Sequence, residues 1–592
     1  MIELPKLARG TPVAVDQETT GGLHIDPPEN ARVAVVSIAW RGGVGLQRRA
    51  FPFAFGQGRG PQLTLDLEPD PNLGADEWRQ LLGWLSYQRL VMHPGKFDLL
   101  HLWRGTDRWE GIDLRGAYQG DTLLGSRILD PGMEAGLADL EARLDYCEPE
   151  VREAWLASKK KRSNVNRMAW AEAQNYAALD AEITLAVYEN QQTRFEQGEG
   201  DWSGYQQEMR LTRTLVGMER RGIGYNATRS QEIAEELKRV INHIKVGLPF
   251  KTTVPGARKY FFIQLKHEAL NYTNKGTPQL DDREVARLVE LKVPHAAEFQ
   301  HLRHLETAVG MWYEGYADAT GWDGRLRTVY SQGKVVSGRL SATRVNLQAI
   351  PQDYQMGDVL QEGFETPRQL FHPKAHSRLW ELDLSQAELR VAAQEAKCER
   401  MLEMLVQGVD LHGEVARELF HDEPGSPTWN KSRNVGKRGD FAFIFGVGEE
   451  TFQATLIAQL GLYLPIQECR RIVYAWRKLF PEFGGAIHRY MERANHWGYV
   501  RLINGRPRHF QGYEDKHKAF NQYVQGSLAE LMKEWLIRGD ALYPGIVLLT
   551  IHDSMVVETA DEEKVHGLQA LGERIGAEWF GVAMDVDVKE WG

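Results

Sequence analysis

Apolar, β-branched runs punctuate the first third of the chain. Val13–Val15, Val33–Ile38 and Leu90–Met92 each read as short strands, with helix-favouring stretches between them. That alternation predicts an α/β unit over about residues 1–198. A polar, glycine-bearing stretch from Gln197 to Gly204 reads as a linker. From there to about residue 320 the pattern is mostly helical and rich in Glu, Lys, Arg and Leu; from Arg325 to Trp591 strands and helices mix again. The expectation is a multidomain chain of α/β and α+β class, with three or four structural units in 592 residues.

Composition narrows the class. With 42% hydrophobic and 26% charged residues the chain reads as an ordinary globular protein. It has no apolar run long enough to span a bilayer, and its first residues, MIELPKLARG, lack the apolar core of a signal peptide. The three cysteines, Cys147, Cys398 and Cys469, lie far apart, which argues against a disulfide framework or a thiolate zinc site and fits a reducing cytosol. The net charge of −10 argues against nucleic acid as a partner, but a local basic groove, not the total, sets the binding field. Two basic clusters exist: Lys159 to Arg162, read as a solvated loop, and Lys431, Arg433, Lys437 and Arg438.

The motifs decide. Asp16 and Glu18 end a strand-like run at i and i+2, so both carboxylates face one side and repel unless a cation lies between them. Asp98 follows in HisProGlyLysPheAsp, and Tyr176 and Asp180 stand at i and i+4 on one face of a long helix. Four acids and a tyrosine suit two-metal phosphodiester hydrolysis: the oxygen ligands favour magnesium or manganese, and the phenol orients a water. This order of motifs resembles the DEDD-type 3′→5′ exonucleases of the tyrosine variant, which implies an RNase H-like fold. His93 stands where that family often has Asn.

Three further segments stand out. A strand-like run ends on Asp383, with the Leu384 carbonyl beside it as a further oxygen ligand. Arg433, Lys437, Phe441 and Phe445 follow i, i+4 spacing, which predicts one helical face with two cations for phosphates and two rings for sugar and base. Gly436 and Gly439 weaken that helix by about 1 kcal/mol each relative to alanine, which packing, close approach or motion must offset. Two apolar runs flank HisAspSer, predicting a hairpin with Asp553 at its tip, able to meet Asp383 across one sheet.

These segments closely resemble the three polymerase motifs of family A DNA polymerases. The stretches 337–351, 410–412, 504–508 and 519–526 resemble other family segments. The resemblance implies a right-hand domain at 199–592 after an exonuclease domain at 1–198: thumb about 207–324, palm about 325–395 and 500–592, fingers about 396–499. It implies Asp383 and Asp553 as metal ligands, and Lys437 as a triphosphate contact and general acid. It further implies His412, Arg433 and Gln386 as dNTP contacts, Phe441 in 3′-deoxy discrimination, Phe445 beside it, and Glu388 as the gate against a 2′-hydroxyl. Arg339, Asn346, Gln348, Asn521, Gln525 and His552 are implied as primer-template contacts. The implied cofactor is Mg²⁺, two ions per active site, with Mn²⁺ as the alternative. The implied partners are primer-template DNA and dNTPs; helicase, primase and processivity partners are left open.

Three departures mark the chain. Phe445 replaces a usual Tyr, taking a phenol from Glu388; Ser554 replaces a usual Glu; His517 replaces a frequent Arg. The chain starts almost directly at the exonuclease segment, so the 5′-nuclease domain of bacterial relatives is expected to be absent, as in a bacteriophage replicative enzyme acting in the host cytoplasm. The alternative reading is an exonuclease or DNA-binding protein with an impaired polymerase site.

Overall fold

The computed structural model describes residues 2–591 except 20–31, 44, 54–71, 107, 161–167, 352, 354–355, 357–358, 361–362, 461 and 511–512. Near the N-terminus a five-stranded sheet runs in the order β3-β2-β1-β4-β5, with β1 Pro12–Thr19, β2 Val33–Gly42, β3 Gly45–Pro52, β4 Arg89–Met92 and β5 Tyr118–Asp121. β1 is antiparallel to β2 and parallel to β4, so the chain crosses from a meander into a parallel edge. Residue size explains its two faces. Ala14, Ala39 and Val91 meet Ala181, Leu185 and Tyr188 of the long helix Trp170–Glu196, and small residues let that helix lie close. Val13, Val15, Val36 and Ile38 face the other way, onto Trp78, Leu81 and Leu99.

The linker expected at 197–204 is shorter than the sequence pattern suggests. Gly198 and Gly200 adopt φ of +82° and +67°, but Trp202 already begins the next helix, Trp202–Arg221. Aromatic packing explains the early start: the Trp202 ring lies 5.2 Å from Phe195 and 5.4 Å from Tyr205, folding the turn on itself. This helix belongs to two cores. Tyr205, Met209 and Val216 pack into the N-terminal core, whereas Leu211, Leu215 and Met218 pack into the C-terminal one. A boundary drawn at one residue therefore misdescribes it. The helical segment from Ile233 through Tyr316 begins only after it, and shares its core with Leu379, Leu548, Leu549 and Val556 of later strands.

Buried charge fixes this joint. Glu208 accepts hydrogen bonds from Arg506 Nη1 and Lys533 Nζ, each at 2.6 Å, and Glu530 accepts from the same two at 3.0 Å. All four side chains are buried, so loss of one partner strands the others without water. At the helix's other end Lys96 donates to Glu219 at 2.5 Å, and Glu219 also accepts from the Tyr330 amide.

The C-terminal sheet is antiparallel, in the order Val547–Ile551, Ser554–Thr559, Arg378–Leu384, Val586–Glu590. Helices Ala387–Ala396, Ala519–Leu542 and Glu562–Phe580 share one large core with it. Between its strands the chain runs through a helical segment from Glu399 to Trp497. No helix among the described residues is long and apolar enough to cross a membrane.

Candidate active sites

In the N-terminal site Asp16, Glu18 and Asp180 each present a carboxylate oxygen, and these oxygens lie within 4.8 Å of one another. The strand supplies the first two and the long helix the third. Asp98, on helix Gly95–Arg104, stands outside that tight group but acts on it: burial, then Asp180, Glu18 and Asp98, push Asp16 well above the usual carboxylate range. Burial, Asp121 and Glu18 do the same to Asp98. Tyr176 lies against Asp180, and burial followed by that charge holds its phenol protonated far above its usual value. Asp16 Oδ2 and Asp98 Oδ2 are buried with no hydrogen-bond partner. Buried carboxylate oxygens without donors, in an all-oxygen set, fit a hard divalent cation.

Several supporting residues were invisible to motif spacing. Asp121 accepts from Gly95 N at 2.9 Å and from Tyr118 Oη at 2.6 Å, anchoring the start of the Asp98 helix. Gly95 is required there, because a Cβ would lie 2.3 Å from the Tyr118 ring. The Trp155 indole donates to Asp180, and the Lys159 ammonium sits 4.5 Å above the Trp155 ring. The basic run read as a solvated loop thus starts inside helix Pro149–Lys160, with Lys159 near enough to pull Asp16 down; residues 161–162 lie outside the described residues. His93 bonds Thr122 Oγ1 at 2.7 Å, and burial with the charges of Lys159 and Arg127 lowers its imidazole to about 3.

In the C-terminal site the strand Arg378–Leu384 ends beside the hairpin. Asp383 pairs in register with Ser554 on one side and Asp587 on the other, and Leu384 N donates to the Asp553 carbonyl at 3.2 Å. His552 and Asp553 form the turn, with His552 at φ +53°. Burial, then Glu381 and Asp553, pushes Asp383 up to about 7. Arg339 Nη2 lies 2.6 Å from Glu388 and 3.5 Å from Asp553. Glu388 thus has a partner without the missing phenol. Ser554 is buried, its hydroxyl 3.2 Å from Glu381 Oε1 and 3.0 Å from the Ile551 carbonyl. Arg339, Gln348, His552 and Asp553 line one cleft. Asn521 and Gln525 are half-buried one turn apart on helix Ala519–Leu542. Asn346 is exposed, and its side chain caps the short turn Leu347–Ala349. Gln386 starts helix Ala387–Ala396 in the left-handed region, and His517 is exposed.

The cationic helix is Trp429–Phe443, so the ladder of four is really three. Arg433, Lys437 and Phe441 lie within it; Phe445 falls in the turn that follows, where its amide bonds Ala442 O and Gly446 takes φ +80°. Phe445 packs against Phe520 at 6.4 Å. Burial, then Arg438 and Arg433, lowers the Lys437 amine below its ordinary value. Arg433 makes two hydrogen bonds to Asp410, at 2.7 and 2.9 Å.

A profile described as DNA polymerase family A matches residues 225–590, and one described as 3′-5′ exonuclease matches residues 4–196. The chain is 26% identical over 485 residues to DNA polymerase I of Geobacillus stearothermophilus, covering 77% of this chain and 52% of that one. It is 26% identical over 415 residues to the thermostable DNA polymerase I of Thermus thermophilus, covering 66% and 47%. The chain spans about half the length of these curated relatives. Among solved structures, the POL domain of Pol1 from M. smegmatis, in complex with DNA primer-template and dNTP, superposes with a TM-score of 0.73. That match covers 99% of this chain and 95% of the other at 19% identity, a likeness of fold.

Proposed function

The chain belongs to DNA polymerase family A and carries a 3′-5′ exonuclease domain, and from that premise we propose that it extends a DNA primer from dNTPs and proofreads the 3′ end by hydrolysis. The observation that carries the reading is the meeting of Asp383 with the Asp553 turn across paired strands, where residues 169 apart in sequence are joined by the Leu384–Asp553 backbone bond. The sheet serves as palm, the helical segment after Glu399 as fingers, and the segment around Ile233 to Tyr316 as thumb.

In polymerisation, Asp383 and Asp553, with the Leu384 carbonyl, would hold two Mg²⁺ ions. When bound, such ions acidify the primer 3′-hydroxyl and neutralise developing charge. The chain's own residues do the rest. Arg433 and His412 bind the triphosphate, and Lys437, its amine already lowered, gives a proton to the departing pyrophosphate. Phe441 covers sugar and base, Gln386 contacts the nucleotide, and Glu388, held by Arg339, excludes a 2′-hydroxyl. Arg339, Asn346, Gln348, Asn521, Gln525 and His552 track the primer-template, whose minor-groove acceptors are largely shared between base pairs. In proofreading, Asp16, Glu18, Asp98 and Asp180 would hold the metal pair, and Tyr176, kept protonated, orients the attacking water.

Primer extension with Mg²⁺ and dNTPs tests the polymerase reading. Wild type is expected to extend, and Asp553→Ala is expected to be inert. Equal inertness of the two, with exonuclease activity intact, would instead support an impaired polymerase site.

A further inference from the structure

His412 and Asp440 sit on different helices, Leu411–Phe420 and Trp429–Phe443, that approach each other at a glycine. A Cβ on Gly436 would lie 3.0 Å from the His412 carbonyl, so a larger residue there would press the two helices apart by a few tenths of an ångström. The close approach brings His412 Nδ1 to 2.7 Å from Asp440 Oδ2. The other oxygen, Oδ1, accepts from Trp476 Nε1 at 2.7 Å. Asp440 is 0% exposed and His412 4%. Burial holds the Asp440 carboxyl above its ordinary value, and the hydrogen bonds with His412 and Trp476 offset only part of that rise.

The arrangement is reciprocal. Asp410, on the first helix, grips Arg433 on the second; Asp440, on the second, grips His412 on the first. The two grips differ in access. Asp410 is half-exposed and can release its arginine to an anionic ligand, whereas Asp440 has no solvent-facing surface and both its oxygens are occupied. A buried carboxylate in that position cannot meet substrate; it acts only through its partners. With Nδ1 taken, Nε2 is the imidazole nitrogen left for a phosphate oxygen.

We propose that Asp440 is a positioning residue for the incoming nucleotide: it accepts from Nδ1–H of His412 and fixes the ring so that, as the doubly protonated imidazolium, its Nε2–H donates to the triphosphate. The inference rests on the reading of His412 as a triphosphate contact. Asp440→Asn keeps an oxygen for Trp476 but sets an amide donor, in place of a carboxyl oxygen, against His412 Nδ1. It is expected to raise the dNTP KM on the order of tenfold, as loss of an outer partner does for other oriented histidines, with kcat much less affected. In a His412→Ala background the same substitution is expected to add nothing. An unchanged KM in D440N, or a double variant whose loss is the product of the singles, overturns the proposal. Trp476→Phe, which spares the Nδ1 contact, is expected to leave KM near wild type; a rise matching that of D440N also overturns it. If D440N fails to fold, ¹⁵N-histidine spectra of the wild type decide, with H412A for assignment. With dNTP bound, protons on both Nδ1 and Nε2 of His412 support the proposal, and a ring protonated on one nitrogen alone contradicts it. A wild type that extends no primer sinks the polymerase reading and this one with it; an active wild type with an indifferent D440N sinks this one alone.

Discussion

The two sites solve the problem of concentrated charge in opposite ways. At the exonuclease site three carboxylates converge within 4.8 Å, burial and the neighbouring acids raise Asp16, and Asp16 Oδ2 and Asp98 Oδ2 have no donors. At the polymerase site the charges are answered from within: Arg339 bridges Glu388 and Asp553, and Asp410 holds Arg433. The first site is assembled but electrostatically unfavourable until a cation arrives. The second answers part of its charge with internal arginines, leaves Asp383 raised, and must exchange those ion pairs for substrate. The contrast suits the proposed tasks, since hydrolysis of a 3′ end needs no second substrate beyond water whereas synthesis must wait for a nucleotide.

Breaking the first arrangement should give the largest effect. Asp16→Ala combined with Glu18→Ala is expected to lower 3′-end degradation by at least about a thousandfold, the loss of several kcal/mol of transition-state stabilisation, while extension is spared. Degradation of a single-stranded 3′ end by purified variant checks it; loss of extension as well would mean the sites are not separable.

Next comes the joint that holds the sites in one body. Glu208→Gln leaves Arg506 and Lys533 buried with a weakened partner and should cost about 3–5 kcal/mol in denaturant unfolding. Burial alone would raise the Glu208 carboxyl, but Lys533 and Arg506 more than offset it and hold it well below its ordinary 4.5. A depressed carboxyl contributes its stability above the unfolded value and loses it as pH falls through the folded one. The wild type should therefore loosen below about pH 4.5 more steeply than the variant. Parallel acid profiles would contradict this.

A smaller effect sharpens the polymerase side. Phe441→Tyr adds a phenol where a 3′-hydroxyl is missing and should improve dideoxynucleotide incorporation by at least about tenfold, the value of one good hydrogen bond. Competition between ddNTP and dNTP in a termination assay reads it. Least of all, Lys159→Ala removes a half-exposed cation beside the exonuclease acids and should slow that activity roughly threefold, and less at high salt.

Legibility in the sequence followed the range of the forces. Asp16 and Glu18 on a strand, Tyr176 and Asp180 on a helix, and the Asp553 hairpin are local patterns, and all three elements appear where the spacing puts them. The family resemblance supplied the link between Asp383 and Asp553, which no local period carries. What escaped was set by tertiary burial. The helix Trp202–Arg221 looked like linker and thumb because its apolar positions serve two cores at once. Asp440 looked like any helical acid until two helices met at Gly436. Phe445 kept the i, i+4 count, but the helix ends at Phe443 because Gly446 turns the chain into the left-handed region.

The central claim is one chain with two separable centres, synthesis at Asp383 and Asp553 and hydrolysis at Asp16, Glu18, Asp98 and Asp180. It is tested most directly by offering a primer with a mispaired 3′ end, dNTPs and Mg²⁺ to the wild type and to Asp383→Ala. The account predicts that wild type trims the mispair and then extends to full length, whereas Asp383→Ala trims at the wild-type rate and never extends. Extension by Asp383→Ala, or failure of it to trim, would contradict the account.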